Sequence, residues 1–216
     1  MTITELWRER FGVDAPRKII CVGLNYREHA AEGGRAAPEE PILFGKFATA
    51  LLEPGAPIVL PREDEHVDSE AELAVVLGRG GRRIAADDAL DHVAGYTVAN
   101  DVSARTLQRK DGQWLRAKGF DTFCPVGELG PVPDDLSTLR VRTLVNGEVR
   151  QDGTAADMVF DIPALVAYIS AVMTLEPGDL VLTGTPEGVG TLSVGDVVEV
   201  EVVGVSRVSN PVTSEP

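Results

Sequence analysis

Two carboxylates stand two residues apart before an apolar run, in Ser69-Glu-Ala-Glu-Leu-Ala-Val-Val-Leu77. Side chains of an extended strand alternate between faces, so Glu70 and Glu72 point the same way. Like charges beside a buried strand repel each other and lose hydration, and a bound cation offsets both penalties. A third acid, Asp101, follows a second strand-like run. Three oxygen ligands without Cys or an adjacent His favour Mg²⁺ or Mn²⁺ over Zn²⁺. We therefore predict a metal site at Glu70, Glu72 and Asp101.

The same spacing of acids recurs near the C-terminus, in Asp196-Val-Val-Glu-Val-Glu-Val-Val203. There three valines share one face while Glu199 and Glu201 share the other, which is typical of a half-exposed strand. We interpret this second pair as a solvated face. On spacing alone the same interpretation is open for Glu70 and Glu72, so the metal hypothesis needs support from the rest of the chain.

His29 and Glu32 are three positions apart on a short predicted helix. Asn25 would cap this helix with Glu28 completing a capping box, and Gly33-Gly34 would end it. Side chains at this spacing can touch. A carboxylate against an imidazole fixes its tautomer and raises its basicity, as a general base for water requires. A surface His–Glu pair is the alternative, and spacing alone favours it.

Six segments of the chain resemble, in the same order, the fumarylacetoacetate hydrolase family. They cover residues 18–26, 66–76, 95–105, 116–127, 145–148 and 177–190. The resemblance implies a mixed β-sandwich or barrel-like roll with a few outer helices. It is strongest to the small acylpyruvase-like and 2-hydroxyhepta-2,4-diene-1,7-dioate isomerase-like members. It supports the metal site, and it implies that the His-x-x-Glu pair is catalytic and lies on a segment that closes over the ligand.

Further polar residues fall within or near the resembling segments. Arg105 offers a planar fork for a substrate carboxylate, Gln108 suits a carbonyl, and Lys118 suits a developing enolate or carboxylate. The Thr183-Gly-Thr-Pro186 loop offers a backbone N–H and the Thr185 hydroxyl to a carboxylate. The resemblance thus implies His29, Glu32 and Lys118 as catalytic residues, and Arg105, Gln108 and Thr185 as substrate-binding residues. Lys46 matches a family lysine, but no role is assigned to it.

The family's reactions share one intermediate, an enolate of a 2-oxo acid that a divalent metal stabilises. The His29–Glu32 pair favours hydrolytic C–C cleavage of an acylpyruvate such as fumarylpyruvate or acetylpyruvate. An oxaloacetate-type decarboxylase and a 2-hydroxyhepta-2,4-diene-1,7-dioate isomerase are alternatives on the same site. A metal- or oxo-acid-binding protein without turnover is an alternative of another class, which the joint presence of His29, Glu32 and Lys118 disfavours.

The composition limits the classes of molecule that the protein can bind. The 216 residues carry a net charge of −14, which argues against nucleic acid and anionic membranes. We expect a small anionic 2-oxo acid as substrate and, by resemblance, a homodimer formed partly by apolar strands and the Trp114 region.

Cys21 and Cys124 lack metal-ligand spacing, so we expect reduced, packed thiols in the cytoplasm. The N-terminus lacks an apolar signal core, and no run is long enough to span a bilayer.

The remaining pattern predicts a β-rich α+β fold, with a short N-terminal segment at 1–17 and one catalytic domain at 18–216. Helices are expected up to Phe11, ended by Gly12, over 87–93, and over 162–174 with Asp161 as its cap. The core-facing stripe of that last helix is Leu165, Val166, Ile169, Val172 and Met173. We expect His66 to be a strand-entry residue or a hydrogen-bond partner of Glu70 or Glu72 rather than a metal ligand, and His92 to be structural. Solvated charges are expected at Arg109, Lys110 and Arg116.

Overall fold

The computed structural model describes residues 1–215, and in that range strands outnumber helices. Its α-helices are α1 (Ile3–Phe11), α2 (Arg27–Glu32), α3 (Arg105–Asp111), α4 (Leu115–Lys118) and α5 (Ile162–Val172). Its strands are β1 (Ile19–Gly23), β2 (Ile42–Lys46), β3 (Leu51–Leu52), β4 (Ile58–Leu60), β5 (Val67–Ser69), β6 (Ala71–Leu77), β7 (Val93–Asn100), β8 (Ser103–Ala104), β9 (Cys124–Pro125), β10 (Arg140–Val145), β11 (Glu148–Thr154), β12 (Leu180–Leu182), β13 (Gly190–Thr191), β14 (Val197–Val202) and β15 (Ser206–Ser214). Short 3₁₀ helices lie at Ala48–Ala50, Ala86–His92, Leu136–Thr138 and Ala155–Asp157. The β-rich α+β class is confirmed.

Two five-stranded sheets pack face to face. One has the strand order β2-β1-β12-β6-β7, and the other has the order β11-β10-β14-β15-β4. In the first sheet β1 and β12 are parallel, and the other three pairs of neighbouring strands are antiparallel, so the sheet is mixed. Side chains of both sheets and of α5 join in one apolar cluster that includes Leu73, Val98, Leu165 and Val200. This arrangement confirms the predicted mixed sandwich.

The first sheet is covered on its other face as well. Ile3 and Trp7 of α1 join Cys21 and Ala74 in a second apolar cluster, and the Trp7 indole N–H donates to the Gly178 carbonyl at 2.7 Å. Strands of a sheet that is buried on both faces carry apolar residues at successive positions, which explains the apolar run Leu73–Leu77 of β6. A charged side chain in such a strand is therefore an exception that needs partners.

The helix predictions are confirmed in part. α1 ends at Phe11, and Gly12 adopts the expected left-handed conformation with φ of 71°. α5 begins where predicted, with the Asp161 carboxylate accepting from the Ala164 N–H at 2.9 Å. The expected core stripe is wrong at Val172, which is 57% exposed. The helix ends there, and Ser170 takes the buried position of the last turn, where its hydroxyl accepts from the Ile84 N–H.

Both cysteines are free and buried, as expected. His92 is buried too, and its Nδ1 lies 3.0 Å from the Arg79 carbonyl. Within residues 1–215, no helix combines the length and the apolar character that crossing a bilayer requires.

The predicted capping role of Asn25 is wrong. α2 begins after Tyr26 without a side-chain cap, and the buried Asn25 amide instead joins distant segments. Its Nδ2 donates to the carbonyls of Phe160 and Thr183 at 3.0 and 2.8 Å, and its Oδ1 accepts from the Phe160 N–H at 2.8 Å. Asn25 therefore ties the entry of α2 to the end of β12.

We expect Asn25→Ala to lower the free energy of unfolding by about 1–3 kcal/mol, because it leaves buried backbone groups without partners. Urea denaturation followed by circular dichroism measures this change. Glu28→Ala is the matched control, since a capping box would need the Glu28 carboxylate as well as Asn25. Because Glu28 is exposed, its replacement should change stability by no more than about 0.5 kcal/mol. Equal losses in the two variants would restore the capping interpretation.

Candidate active site

Three buried carboxylates meet at the end of the first sheet. Glu70 lies between β5 and β6, Glu72 lies in β6, and Asp101 directly follows β7. The antiparallel register pairs Ala71 with Asn100, and the Asp101 N–H donates to the Glu70 carbonyl at 2.9 Å. One oxygen from each of the three carboxylates lies within 4.8 Å of the others. The structure therefore brings together all three predicted metal ligands.

The control pair of acids also behaves as predicted. Glu199 and Glu201 lie half-buried on β14, while the valines at 198, 200 and 202 are buried. Arg142 of β10 forms an ion pair with Glu201 at 3.6 Å, and Arg207 of β15 forms one with Glu199 at 3.5 Å. The same two-residue spacing therefore yields a solvated face in one strand and a buried cluster in another.

Cations surround the buried acids. The Lys118 ammonium donates to Glu70 Oε2 and Asp101 Oδ2, both at 2.6 Å, and it lies 5.0 Å from the centre of the Phe44 ring. Arg105 donates to Asp68 at 2.7 Å and also to Glu70. Burial disfavours the charge of Lys118, but the carboxylates of Asp101 and Glu70 outweigh it and raise its pKa. Lys118 is therefore a charged donor at the site.

The two glutamates have opposite electrostatic environments. Burial raises the pKa of each carboxyl, but at Glu70 the charges of Arg105 and Lys118 outweigh burial and hold the pKa well below its ordinary value. At Glu72, burial and the repulsion of Asp101 and Glu70 raise the pKa well above its ordinary value. Its Oε2 accepts one hydrogen bond, from the Gly184 N–H at 2.7 Å. The cluster thus lacks positive charge on the side of Glu72.

The buried acids fit a divalent cation. Asp101 Oδ1 lies 2.7 Å from Lys46 Nζ but accepts no hydrogen bond, because that ammonium donates to the carbonyls of Val102, Lys118 and Phe123 at 2.6–3.1 Å. This oxygen and the poorly compensated Glu72 carboxylate are acceptors without sufficient partners. Carboxylate oxygens are the ligands that Mg²⁺ and Mn²⁺ prefer. Glu70, Glu72 and Asp101 are therefore the residues that would hold the metal.

A cleft of about 350 Å³ opens onto the acids. Eight of the nine predicted site residues line it, and the ninth, Asp101, is fully buried beside Glu70. His29 and Glu32 come from α2, with His29 Nδ1 3.5 Å from Glu32 Oε2. The Glu32 carboxylate also accepts from the Gly188 N–H at 3.2 Å, which joins α2 to the loop after β12. The predicted catalytic pair thus faces the same space as the acids.

Two predicted substrate-binding residues are largely engaged within the protein. The Thr185 hydroxyl donates to the Ala71 carbonyl and accepts from Gln151 Nε2, both at 2.8 Å. Its proton is therefore used in the fold, and the backbone N–H is the donor that remains for a ligand. Arg105 uses three of its five N–H groups, one of them on Gln108 Oε1 at 2.9 Å, which leaves two for a substrate.

His66 directly precedes β5, as a strand-entry residue would, but the considered hydrogen bond to Glu70 or Glu72 is not formed. Its Nε2 lies 3.4 Å from Asp68 Oδ1, because Asp68 is the nearest acid on the same face of the strand, two positions away. The Asp68 carboxylate also accepts hydrogen bonds from Arg105 at 2.7 Å and from the Thr191 hydroxyl at 2.8 Å. His66 therefore contacts a residue that orients Arg105.

The sequence analysis missed one positioning residue, Gln151, and left another, Lys46, without a role. Gln151 accepts from the Ala71 N–H at 2.9 Å and donates to Thr185, and its place in a strand of exposed polar residues gave no signal. Lys46 did give a signal, since a charged residue at the end of an apolar strand needs a partner. It is fully buried against Asp101 and three carbonyls.

We expect Lys46→Met to lower the free energy of unfolding by about 3–5 kcal/mol, because it removes one of the two ammonium groups beside the buried Asp101 carboxylate and leaves three carbonyls without their donor. Denaturant unfolding of the metal-free protein provides the measurement. Lys110→Met is the matched control, because Lys110 is exposed and makes no ion pair within residues 1–215. A Lys46→Met protein as stable as this control would show that the buried ammonium is dispensable.

Comparisons with known proteins identify the family of the chain. The family model for the C-terminal domain of fumarylacetoacetate (FAA) hydrolase matches residues 18–213. A mitochondrial oxaloacetate tautomerase from Xenopus laevis is 48% identical over 209 residues, covering 91% of this chain and 66% of that protein.

Solved structures show the same relationship. A 5-carboxymethyl-2-hydroxymuconate delta-isomerase from Mycobacterium smegmatis aligns with a TM-score of 0.86 at 49% identity, over 93% of this chain and 80% of that one. A fumarylpyruvate hydrolase from Pseudomonas aeruginosa, in complex with Mn²⁺ and pyruvate, aligns with a TM-score of 0.86 at 33% identity, over 93% and 91% of the two chains. The chain belongs to the fumarylacetoacetate hydrolase family, whose members are enzymes that include hydrolases, isomerases and tautomerases.

Proposed function

We propose that the protein is a divalent-metal-dependent enzyme that cleaves an acylpyruvate, such as fumarylpyruvate or acetylpyruvate, by hydrolysis of a C–C bond. The observation that carries the proposal is the His29–Glu32 pair lining the same cleft as Glu70 and Glu72, two of the three buried carboxylates. A site that only binds a metal and an oxo acid has no need of a base. The fumarylpyruvate hydrolase with Mn²⁺ and pyruvate is a relative in which the metal and a product occur together.

Mg²⁺ or Mn²⁺ held by Glu70, Glu72 and Asp101 would supply Lewis-acid stabilisation to the negative charge that develops on the substrate oxygens. Lys118 lines the cleft as well, and the carboxylates of Asp101 and Glu70 raise its pKa, which keeps it an ammonium. Its charge assists in stabilising the negative charge that develops on the substrate. The Thr185 N–H, Gln108 and the two unused N–H groups of Arg105 are donors for the substrate carboxylate and the 2-oxo oxygen.

His29 acts as the general base. Its Nδ1 is buried, lies 3.5 Å from Glu32 Oε2 and has no hydrogen-bond partner among residues 1–215. A small approach of the two side chains on ligand binding would form the hydrogen bond that keeps a proton on Nδ1 and leaves Nε2 to accept a proton from water. The resulting hydroxide attacks the acyl carbonyl carbon, and the C–C bond to the pyruvyl unit breaks. The electron pair passes to the pyruvyl unit as an enolate, which is protonated to pyruvate, and the acyl group leaves as a carboxylic acid.

Proton transfer without cleavage is a second candidate reaction. Relatives at 48% and 49% identity are named as an oxaloacetate tautomerase and a muconate isomerase. Such reactions need the same enolate and a base that moves a proton between carbon and oxygen or along a conjugated acid. Oxaloacetate decarboxylation needs the enolate alone. The three reactions therefore differ in what His29 must do.

We expect Glu72→Gln and Asp101→Asn each to weaken Mn²⁺ binding by at least about a hundredfold, because each removes a charged ligand oxygen. Isothermal titration calorimetry with Mn²⁺ alone measures this affinity without any substrate. The control is Glu199→Gln with Glu201→Gln, the same spacing of acids on a half-exposed strand, and it should bind Mn²⁺ as the unmodified protein does. Unchanged affinity in Glu72→Gln would remove this residue from the ligand set.

We expect His29→Ala to slow fumarylpyruvate cleavage by about a hundredfold to ten-thousandfold, the usual contribution of a general base. Oxaloacetate decarboxylation by the same variant should fall much less, because it does not require activated water. Loss of fumarylpyruvate absorbance and formation of pyruvate from oxaloacetate give the two rates. Mn²⁺ affinity should stay nearly constant, since no ligand is changed.

The matched control for this pair is Glu28→Ala, an exposed acid on the same helix, which should leave both rates unchanged. Small and equal losses in the two reactions of His29→Ala would mean that the pair is structural. An unmodified protein that interconverts the keto and enol forms of oxaloacetate but cleaves neither acylpyruvate would contradict the hydrolase proposal and support the second candidate.

A further inference from the structure

Helix α3 carries Arg105, which lines the cleft, but the helix has little to hold it in place by packing. It has seven residues, and among its side chains only Leu107 is buried. A helix of that length is not stable by itself and depends on contacts with the rest of the protein. Its N-cap residue is Ala104, whose side chain makes no capping hydrogen bond. The position of α3 therefore depends on hydrogen bonds from another part of the chain.

Residues 64–68, which lead into β5, supply these hydrogen bonds. Asp64 Oδ2 accepts a hydrogen bond from the Leu107 N–H at 2.9 Å, across 43 positions of the sequence. The His66 carbonyl accepts one from the Arg105 N–H at 2.8 Å. The N–H groups of the first turn of a helix have no partners within the helix. Two of these donors in α3 are thus satisfied by one short segment.

Asp64 is a buried carboxylate, and it keeps its charge. It is 3% exposed, and its Oδ1 accepts a hydrogen bond from the His66 N–H at 2.9 Å. Burial raises the pKa of its carboxyl, but the hydrogen bonds from the N–H groups of Leu107 and His66 outweigh burial and hold the pKa below its ordinary value. A carboxylate at the first turn of a helix is stabilising. Asp64 therefore performs for α3 the capping that Ala104 cannot.

The same segment also holds the side chain of Arg105. Asp68 accepts a hydrogen bond from Arg105 Nε at 2.7 Å and another from the Thr191 hydroxyl at 2.8 Å, and Arg105 donates to Glu70 as well. Residues 64–68 thus bind α3 at its main chain and the guanidinium of its first residue. The position of α3 relative to this segment decides where the unused N–H groups of Arg105 point.

We infer that Asp64 is a positioning residue for ligand binding, which caps α3 from a distant segment and thereby fixes the Arg105 guanidinium at the cleft. Asp64 does not line the cleft, so its effect must pass through α3. The inference rests on the proposed function for the role of Arg105 as a donor to a 2-oxo acid. A misplacement of about 1 Å in a binding group can cost about a hundredfold in rate, so a small shift of α3 is enough to matter.

Replacement of Asp64 by alanine tests this inference, with pyruvate as the ligand. Isothermal titration calorimetry of the Mn²⁺-loaded Asp64→Ala protein should show pyruvate binding weakened at least about tenfold. The affinity for Mn²⁺ should not fall, because no proposed metal ligand is changed. The KM for fumarylpyruvate should rise by a similar factor while kcat stays within about threefold, as expected when an interaction common to the ground state and the transition state is lost.

A double-mutant cycle with Arg105→Gln separates positioning from a general loss of structure. Arg105→Gln alone should weaken pyruvate binding at least about tenfold. Adding Asp64→Ala to this variant should weaken binding by no more than about a further twofold, because the side chain that Asp64 positions is already absent. Fully additive losses would overturn the inference, since Asp64 would then act independently of Arg105.

Two further variants complete the experiment. Glu65→Ala is the matched control, because Glu65 is an exposed acid between Asp64 and His66 and makes none of the contacts to α3; it should change pyruvate affinity by no more than about twofold. Asp64→Asn keeps one acceptor oxygen and should weaken binding at least about threefold, but less than alanine does. If the alanine variant does not fold, Asp64→Asn carries the test. A folded Asp64 variant that is less stable but binds pyruvate as the unmodified protein does would overturn the inference.

The inference and the proposed function fail separately. Pyruvate binding that depends on both Asp64 and Arg105, in a protein that cleaves no acylpyruvate, would keep the positioning role and remove the hydrolase proposal. Cleavage of fumarylpyruvate with an unchanged KM in Asp64→Ala would do the reverse. An unmodified Mn²⁺-loaded protein that binds no pyruvate would remove the ligand role of Arg105, and the inference with it.

Discussion

Three carboxylates lie in the protein interior within 4.8 Å of one another, and the rest of the site is arranged around their mutual repulsion. Each loses hydration on burial, and bringing like charges together adds to that cost. Lys118 bridges two of them, Arg105 contacts one, and Lys46 lies beside Asp101. Glu72 has the least compensation, and its pKa is raised accordingly. The protein thus contains an electrostatic imbalance that a divalent cation is suited to correct.

Such a cluster needs rigid supports, and the central sheet provides them. β6 and β7 are antiparallel and buried on both faces, so their register fixes where Glu70, Glu72 and Asp101 meet. α2, in contrast, has six residues and no side-chain cap, and a helix of that length is not stable by itself. It is held by the Asn25 amide and by the Glu32 contact with Gly188. The proposed metal ligands therefore lie on or beside the best-supported strands, and the proposed base lies on an element held by a few tertiary contacts.

The sequence predicted the β-rich fold class and the solvated pair at Glu199 and Glu201, because strand alternation and apolar runs are local properties. The acid cluster needed the family resemblance as well, because the same spacing of acids is open to both interpretations. It misplaced Asn25, whose position before a helix suggested a cap although its amide bonds to residues more than 130 positions away. It assigned no role to Lys46, because the carbonyls that receive its hydrogen bonds come from three separate segments of the chain. Local patterns thus identified the charged residues, whereas the partners of those residues depend on the tertiary structure.

A formal count of charge links the buried site to the choice of substrate. Asp68, Glu70, Glu72 and Asp101 provide four carboxylates against the three cations Arg105, Lys46 and Lys118, which leaves one excess negative charge. A divalent cation turns this into one excess positive charge, which suits the single carboxylate of a monoacid. The buried groups and a divalent cation would together balance the charge of one ligand carboxylate, because burying a further uncompensated charge opposes binding.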